Sequence, residues 1–373
     1  MRIALILIII IHGGIHLFGW LKAFHFAAFS AISQPISKAY GVIWLLAFLL
    51  FMAALILNVS RIEYWWLFSG LAVIVSQVLI INYWADAKFG TIANIIILFA
   101  SILAYADFSF QQRMKSEQIA LLESTGTNNE AVVYTERWHE LPQIVQTWLN
   151  NSGALEQPPI SNVYLTQALQ LKLQPDQDHW MKGSAEQYII AQDPAFHWTI
   201  RTQMNTWLPL KGRDKFAEGK GEMLIKLLTL IPVVKASGDE KINQATLQRY
   251  LAEIVWLPTE ALAKHITWEA IDDYSAKATM TYNGTQGAGV FHFDAQGNFK
   301  TFVAMRYKNN KASQPTKWIV TATKTEERQG INIPVECEAS WELENGKWTW
   351  LILKIKDLSY NVTSIPAAST FSN

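Results

Sequence analysis

Two groups of residues in this sequence have the types and spacing to do chemistry. The first is acidic: Glu253, Glu269 and Asp272 follow one another closely, with Arg249 four positions before Glu253. Carboxylates that open into one pocket can divide general acid and general base work, so these residues are the candidates for an enzyme acting on envelope or lipid substrates. The neighbouring pair Asp272-Asp273 is less suited to it. Adjacent residues on a strand point to opposite faces, and the pair reads better as a turn or cap before a strand starting at Ser275. The second group is His12, His16, Gln77, Asp86 and Lys88, set among apolar runs. His12 and His16 are four apart and share one helix face, which suits hydrogen bonding to neighbouring helices beside Gly13 and Gly14. One helix does not place two axial ligands on opposite sides of a haem, so a membrane-embedded proton or quinone site is the sharper alternative. His139, His179, His197, His265 and His292 lack metal-ligand spacing, and no nucleotide loop or hydrolase signature is present. No metal and no cofactor are expected.

The elements that must position these residues divide the chain in two. Of 373 residues, 31 are basic and 31 acidic, yet only eight of these charges fall in residues 1–107. They parse that stretch into four uncharged runs, 3–21, 39–60, 64–85 and 89–106. Each is close to the roughly 20 residues a helix needs to cross a bilayer. Trp20, Trp44, Trp65, Trp66 and Trp84 lie near the run ends, where an aromatic belt places them. The first run lacks the small-residue cleavage pattern of a signal peptide. Four spans put both termini on one side. Arg2, Arg61, Arg113 and Lys115 against Lys22, Lys38 and Lys88 is a small bias towards cytoplasmic termini. The balanced charge argues against a nucleic-acid partner.

After the last run the chain changes solvent. The expected organisation is a four-helix membrane module (1–108), a linker (109–133), a soluble β-rich domain (134–361) and a tail (362–373). The first part of the linker extends the fourth helix, and 124–130 is a joint rich in Ser, Thr, Gly and Asn. Pro142 and Gly153 bracket a short helix. Residues 331–344 alternate apolar and polar without a break, the strongest strand signal in the chain, and place the single cysteine, Cys337, on the apolar face as a small buried hydrophobe. Weaker alternation marks 163–173, 196–204, 275–282, 290–294, 299–307, 318–326 and 348–358, with turn chemistry at Asn283-Gly284 and 294–297. Gly219-Lys220-Gly221 reads as a turn or bulge. A helix capped by Asn243 carries the stripe Leu247, Leu251, Ile254 and Leu257 and stops at Pro258, with Gln248, Arg249 and Glu253 on its other faces. The fold class is therefore α+β: a transmembrane four-helix bundle, then a mostly antiparallel curved sheet or half-barrel of eight to eleven strands with one to three helices on one side.

Eleven of the sixteen tryptophans fall in the second half. Core packing accounts for many of them; the sharper reading is a concave apolar site for a lipid-like small molecule, with Trp198, Trp268, Trp341, Trp350, Arg249, Glu253 and Asp272 as its candidate residues.

Residues 12–24 (HGGIHLFGWLKAF) and 76–94 (SQVLIINYWADAKFGTIAN) resemble a DoxX-like four-helix module of an uncharacterised bacterial membrane family. Its soluble domain, of unknown function, is similar to 249–258 (RYLAEIVWLP) with 268–278 (WEAIDDYSAKA). The resemblance implies a multi-pass protein of the bacterial inner membrane, and with His12 and His16 it implies a redox-linked role as one reading. The strand-rich half resembles, in fold alone, the LolA/LolB type of lipoprotein carrier, which implies an acyl-binding half-barrel. The leading expectation is a membrane-held protein that binds a lipid-like ligand; the acidic enzyme and the redox-linked protein are its rivals.

Overall fold

The computed structural model describes residues 2–27, 32–124, 137–205 and 208–365. It divides into two compact units, Met1–Gln112 and Arg113–Asn373. Most of the expected joint at 124–130, the start of the expected β domain at 134–136, Trp207 and the tail beyond 365 lie outside the described residues.

The first unit is helical. Its elements are α1 (Arg2–Ala23), α2 (Lys38–Val59), α3 (Trp65–Asn82), a single turn α4 (Trp84–Ala87) and α5 (Gly90–Ser124). Four of these, α1, α2, α3 and α5, are long and apolar enough to cross a membrane. Ile9, Phe51, Ala72, Val73 and Ile97 pack between them. Ile11, Ile56, Ile74 and Ile95 face outward, 65%, 63%, 61% and 61% exposed, which water would penalise and hydrocarbon would not. The Arg2 guanidinium closes one end by bonding to the Asn58 and Val59 carbonyls at the end of α2.

The second unit is built on one antiparallel sheet. A short helix, α6 (Gln143–Ser152), ends at Gly153, whose φ of +70° suits a residue without a Cβ. Then come β1 (Asn162–Leu171), β2 (Met181–Ile190), β3 (Ala195–Gln203), β4 (Pro209–Ala217), β5 (Lys220–Leu227) and β6 (Ile231–Ser237). Helix α7 (Glu240–Glu253) follows, with two 3-10 turns to Leu262. The chain returns through β7 (Ile266–Asp272), β8 (Ser275–Tyr282), β9 (Thr285–Phe293), β10 (Phe299–Arg306), β11 (Thr316–Arg328), β12 (Ile331–Leu343) and β13 (Gly346–Tyr360). Among the described residues the sheet has 13 strands, in the order β6-β5-β4-β3-β2-β1-β13-β12-β11-β10-β9-β8-β7. Each strand pairs with its neighbour in sequence, except that β1 and β13 meet in the middle. That leaves β6 and β7 as unpaired edges, joined by α7, and the sheet does not close.

Curvature brings the two arms to one helix. α7 packs on β5 from one side and on β9 from the other. A Cβ at Gly221 would fall 2.3 Å from Thr246 Oγ1, and one at Gly287 would fall 2.8 Å from Gln248 Cγ, so each arm has a glycine where the helix passes. The β4–β5 and β8–β9 turns also meet, Thr285 Oγ1 donating to the Gly219 carbonyl at 2.7 Å. Leu247, Leu251, Ile254 and Leu257 are fully buried under this arrangement. The Asn283-Gly284 turn has φ of +47° and +81°, as a tight hairpin requires.

Several expectations change. The strand count exceeds eleven because β2, β4, β5, β6 and β7 carry no clean alternation. α7 starts earlier than expected: Asp239 is its cap, its carboxylate accepting from Lys241 N and Ile242 N, while Asn243 accepts from Gly221 N at 2.8 Å instead. Gln248, which the sequence places off the apolar stripe, is buried and donates to the Ala288 and Met305 carbonyls. α6 and α7 cover the concave face; the last turns of α5 add cover on the convex face, where Leu121 and Leu122 pack with Tyr164 and Tyr188.

Candidate functional site: an apolar cavity with a buried ionic seam

Inward-facing residues of β3, β4 and β5 enclose a cavity of about 220 Å³ beside α7. Alternation selects its wall: Trp198 and Ile200 from β3, Leu210 and Gly212 from β4, Met223 and Ile225 from β5. Trp350, Leu351 and Leu353 of β13 and Trp318 and Val320 of β11 complete it from the other arm.

A polar seam runs along one side. Trp198 Nε1 donates to Gln167 Oε1 (2.9 Å), Gln167 Nε2 to Gln187 Oε1 (3.1 Å), and Gln187 Nε2 to Glu253 Oε2 (2.6 Å). Arg249 then bridges two acids, with Nε on Glu253 at 2.7 Å and Nη1 on Asp214 at 2.8 Å. Its guanidinium also stacks 4.7 Å from the Phe196 ring and 4.8 Å from Trp198. Burial pushes the Asp214 and Glu253 carboxyls up, opposed by the Arg249 charge between them. Burial would pull Arg249 down, and the two carboxylates outweigh it and hold it up. Each of these ions is committed to another, so the seam holds α7 to β4 rather than presenting a free base.

The structure gathers part of the expected set. Trp198, Trp350, Arg249 and Glu253 line the cavity. Trp341 stands behind it, its ring 6.5 Å from Trp318. Trp268 is elsewhere, donating to the Ala261 carbonyl at 2.9 Å and packed 5.0 Å from Phe291. Asp272 is exposed in the β7–β8 turn, where it accepts from Tyr274 N at 2.9 Å. Glu269 is exposed too, 3.6 Å from Lys277. Glu253, Glu269 and Asp272 therefore share no pocket, because β7 is an edge strand that turns its acids to water. Cys337 is buried at the cavity wall, and burial pushes its thiol up to about 12, which removes thiolate reactivity. Gln167, Gln187, Asp214, Arg306 and Trp318 were not expected. For the first four the signal is a polar residue in an inward position, as Asp214 is between Gly212 and Phe216; Trp318 is one of the eleven tryptophans of this half.

The membrane group also splits. His12 Nε2 lies 2.8 Å from Asn94 Oδ1 and 3.2 Å from Ser76 Oγ, and His16 Nε2 lies 2.9 Å from the same hydroxyl. Gln77 joins through Asn94 (3.0 Å) and Thr91 (3.2 Å). This network ties α1, α3 and α5 together, as polar side chains do between membrane helices. Asp86 is apart from it, accepting from Ser33 and Gln34, and Lys88 lies over the Phe89 ring at 5.4 Å.

On the convex face of the second unit, Glu117 near the end of α5 lies 3.2 Å from His197 Nε2, 3.2 Å from Arg213 Nε and 2.8 Å from Arg113 Nε. Burial opposes the Glu117 charge, but bonds from His197 and Arg113 and the charge of Arg213 prevail and hold the carboxyl down at about 2. Burial lowers His197 from its ordinary 6.5, against the pull of Glu117; Arg213 and Lys215 lower it further. Both folded values lie below the unfolded ones, so in acid the unfolded chain takes up more protons. The docked helix end is stable above about pH 6.5 and weakens as pH falls, first through the His197 range and then towards 2. Hydrogen exchange of amides 113–124, corrected for intrinsic rates, should show protection falling from pH 7.5 to 4.5. In Glu117→Gln protection should already be reduced at pH 7.5 and respond less to acid.

An open antiparallel sheet curved round a helix and an apolar cavity, with four helices of membrane-crossing length before it, defines the class. The chain belongs to a family of unknown function (DUF6920), whose model matches residues 139–360. That match spans α6 through the last residue of β13 and leaves the four long apolar helices outside it. In structure, the chain is similar to a LolA superfamily protein from Nitrosomonas europaea, with a TM-score of 0.33 and 9% identity over 58% of this chain and 92% of that one. No curated protein matches it in sequence.

Proposed function

We propose that this protein binds the apolar part of a lipid-like ligand in the concave cavity, and that its four N-terminal helices hold it in a bacterial inner membrane. The cavity carries the reading. Leucine, isoleucine, valine and tryptophan from both arms of the sheet make up much of its wall, and apolar surface left open beside a packed core is where an apolar ligand gains most. Asp214, Arg249 and Glu253 at its edge are bonded to one another. Four spans would place both termini on one side, and a reporter fused after residue 365 would read which side that is.

Ala252 of α7 is buried at the cavity edge, so Ala252→Phe should fill the space. The full chain, held in amphipol, would be titrated with the neutral fluorescent probe N-phenyl-1-naphthylamine. Binding should weaken at least about tenfold, equivalent to about 1.4 kcal/mol, in Ala252→Phe, whereas the exposed variant Glu269→Ala should bind like the parent. Equal binding by all three proteins would show that the probe sits elsewhere and remove the proposal.

A further inference from the structure

We infer that the ligand's polar end is an anion, received by the guanidinium of Arg306 together with the indole N–H groups of Trp318 and Trp350; the inference rests on the cavity reading above. Arg306 ends β10 on its inward face, two and four residues after Ala304 and Phe302, and lines the cavity. Its Nε donates to the Ala245 carbonyl at 2.8 Å, and its planar head lies 4.5 Å from the Trp318 ring and 5.9 Å from Trp341. Among the described residues it forms no ion pair. The contrast with Arg249 is direct, since that residue engages both Asp214 and Glu253 and leaves neither to its neighbour.

The balance of charge round Arg306 agrees. Burial and the like charge of Arg249 pull its guanidinium down to about 10, and Asp214 and Glu253, acting from a distance, only partly restore it. An arginine in that position remains charged at neutral pH but lacks a counter-ion in contact. A second observation points the same way. Among the described residues, Trp318 Nε1 and Trp350 Nε1 are buried donors on the cavity wall with no acceptor. Buried donors without acceptors are rare in folded proteins, and a ligand that brings only acceptor oxygens would satisfy them. A carboxylate or a phosphate monoester does so and also neutralises Arg306. An alcohol leaves the charge, and an amine adds to it.

The cavity of about 220 Å³ holds about seven water-sized groups at ~30 Å³ each, which makes eight-carbon chains suitable probes. The full chain in amphipol at pH 8, loaded with N-phenyl-1-naphthylamine, would be titrated with octanoate, octyl phosphate, octanol and octylamine, and with octanol in the presence of inorganic phosphate. Octanoate or octyl phosphate should displace the probe at concentrations at least about tenfold below octanol, and octylamine should be weakest. Whichever anion leads identifies the head group as carboxylate or phosphate. Arg306→Gln should abolish the preference while the probe still binds, and Arg306→Lys should retain part of it. If Arg306→Gln does not fold, the order of the four compounds on the parent protein and the Arg306→Lys variant carry the test. Equal displacement by octanoate and octanol overturns the inference and leaves the cavity reading standing, whereas failure of the probe to bind removes the cavity reading itself. Octanol binding strengthened by inorganic phosphate would assign the anion to a free ion and overturn the head-group assignment.

Discussion

Arg249→Leu is expected to destabilise the second unit by about 3–5 kcal/mol, the usual cost of removing one partner from a buried ion pair. The side chains of Arg249, Asp214 and Glu253 are 14%, 16% and 11% exposed, so water cannot replace the lost cation. Two buried carboxylates would face each other with Gln187 as the remaining donor to Glu253. Guanidinium-induced unfolding followed by tryptophan fluorescence measures the loss, and its pH dependence checks the cause. Burial raises both carboxyls above their ordinary values, so in the variant the folded state holds more protons than the unfolded one near neutrality. Stability carried by such groups is fully present below the unfolded pKa of about 4 and disappears as pH rises through the folded values. The deficit of Arg249→Leu should therefore be smaller at pH 4.5 than at pH 8. Neutralising the partners as well, in Asp214→Asn with Glu253→Gln, should recover most of it, because the penalty is the uncompensated charge and not the missing contact. A loss below about 1 kcal/mol would mean that the seam is hydrated.

Phe302→Ala should cost a similar amount, about 3–5 kcal/mol, for a different reason. Phe302 is fully buried, its ring 4.9 Å from Phe291 in an edge-on contact and 6.1 Å from Trp318. It also lies over Gly289 of the neighbouring strand, where a Cβ would fall 2.1 Å from Phe302 Cζ. Gly289→Ala alone should cost about 1–3 kcal/mol by overpacking. The two changes occupy one space, so the double variant should lose less than the sum of the singles, with a coupling of about 0.5–3 kcal/mol. Strict additivity in the unfolding midpoints would show that the ring moves aside freely.

Legibility of the fold followed burial on one face only. β12 alternates because most of one side meets the core and most of the other is more open, Pro334 and Ser340 being buried exceptions, and its span is legible to within a residue. β6 and β7 are edges, largely exposed on both faces, and edge strands write no two-sided pattern. β4 has the right spacing in Leu210, Gly212 and Phe216, but Asp214 sits on the same inward face and breaks the apolar count. In the site, Arg249 and Glu253 are a turn apart on one helix, so their pairing could be read from spacing. Asp214 and Gln187 lie 35 and 66 residues from the partners they meet, and nothing local marks the contact.

Local composition sets the solvent of each stretch: with only eight charges, the first 107 residues make four helices that hydrocarbon can hold, and regular alternation later makes strands with one wet face. Hydropathy is a property of neighbours along the chain, so it survives without coordinates. Which acids meet a buried cation depends on the folded sheet. Curvature of the sheet round α7 buries Glu253 against Arg249 and leaves Glu269 and Asp272 in water, and it gives Arg306 two tryptophan faces but, among the described residues, no carboxylate in contact. A charged side chain's role depends on what faces it across the sheet, and that is settled by strand pairing over long separations.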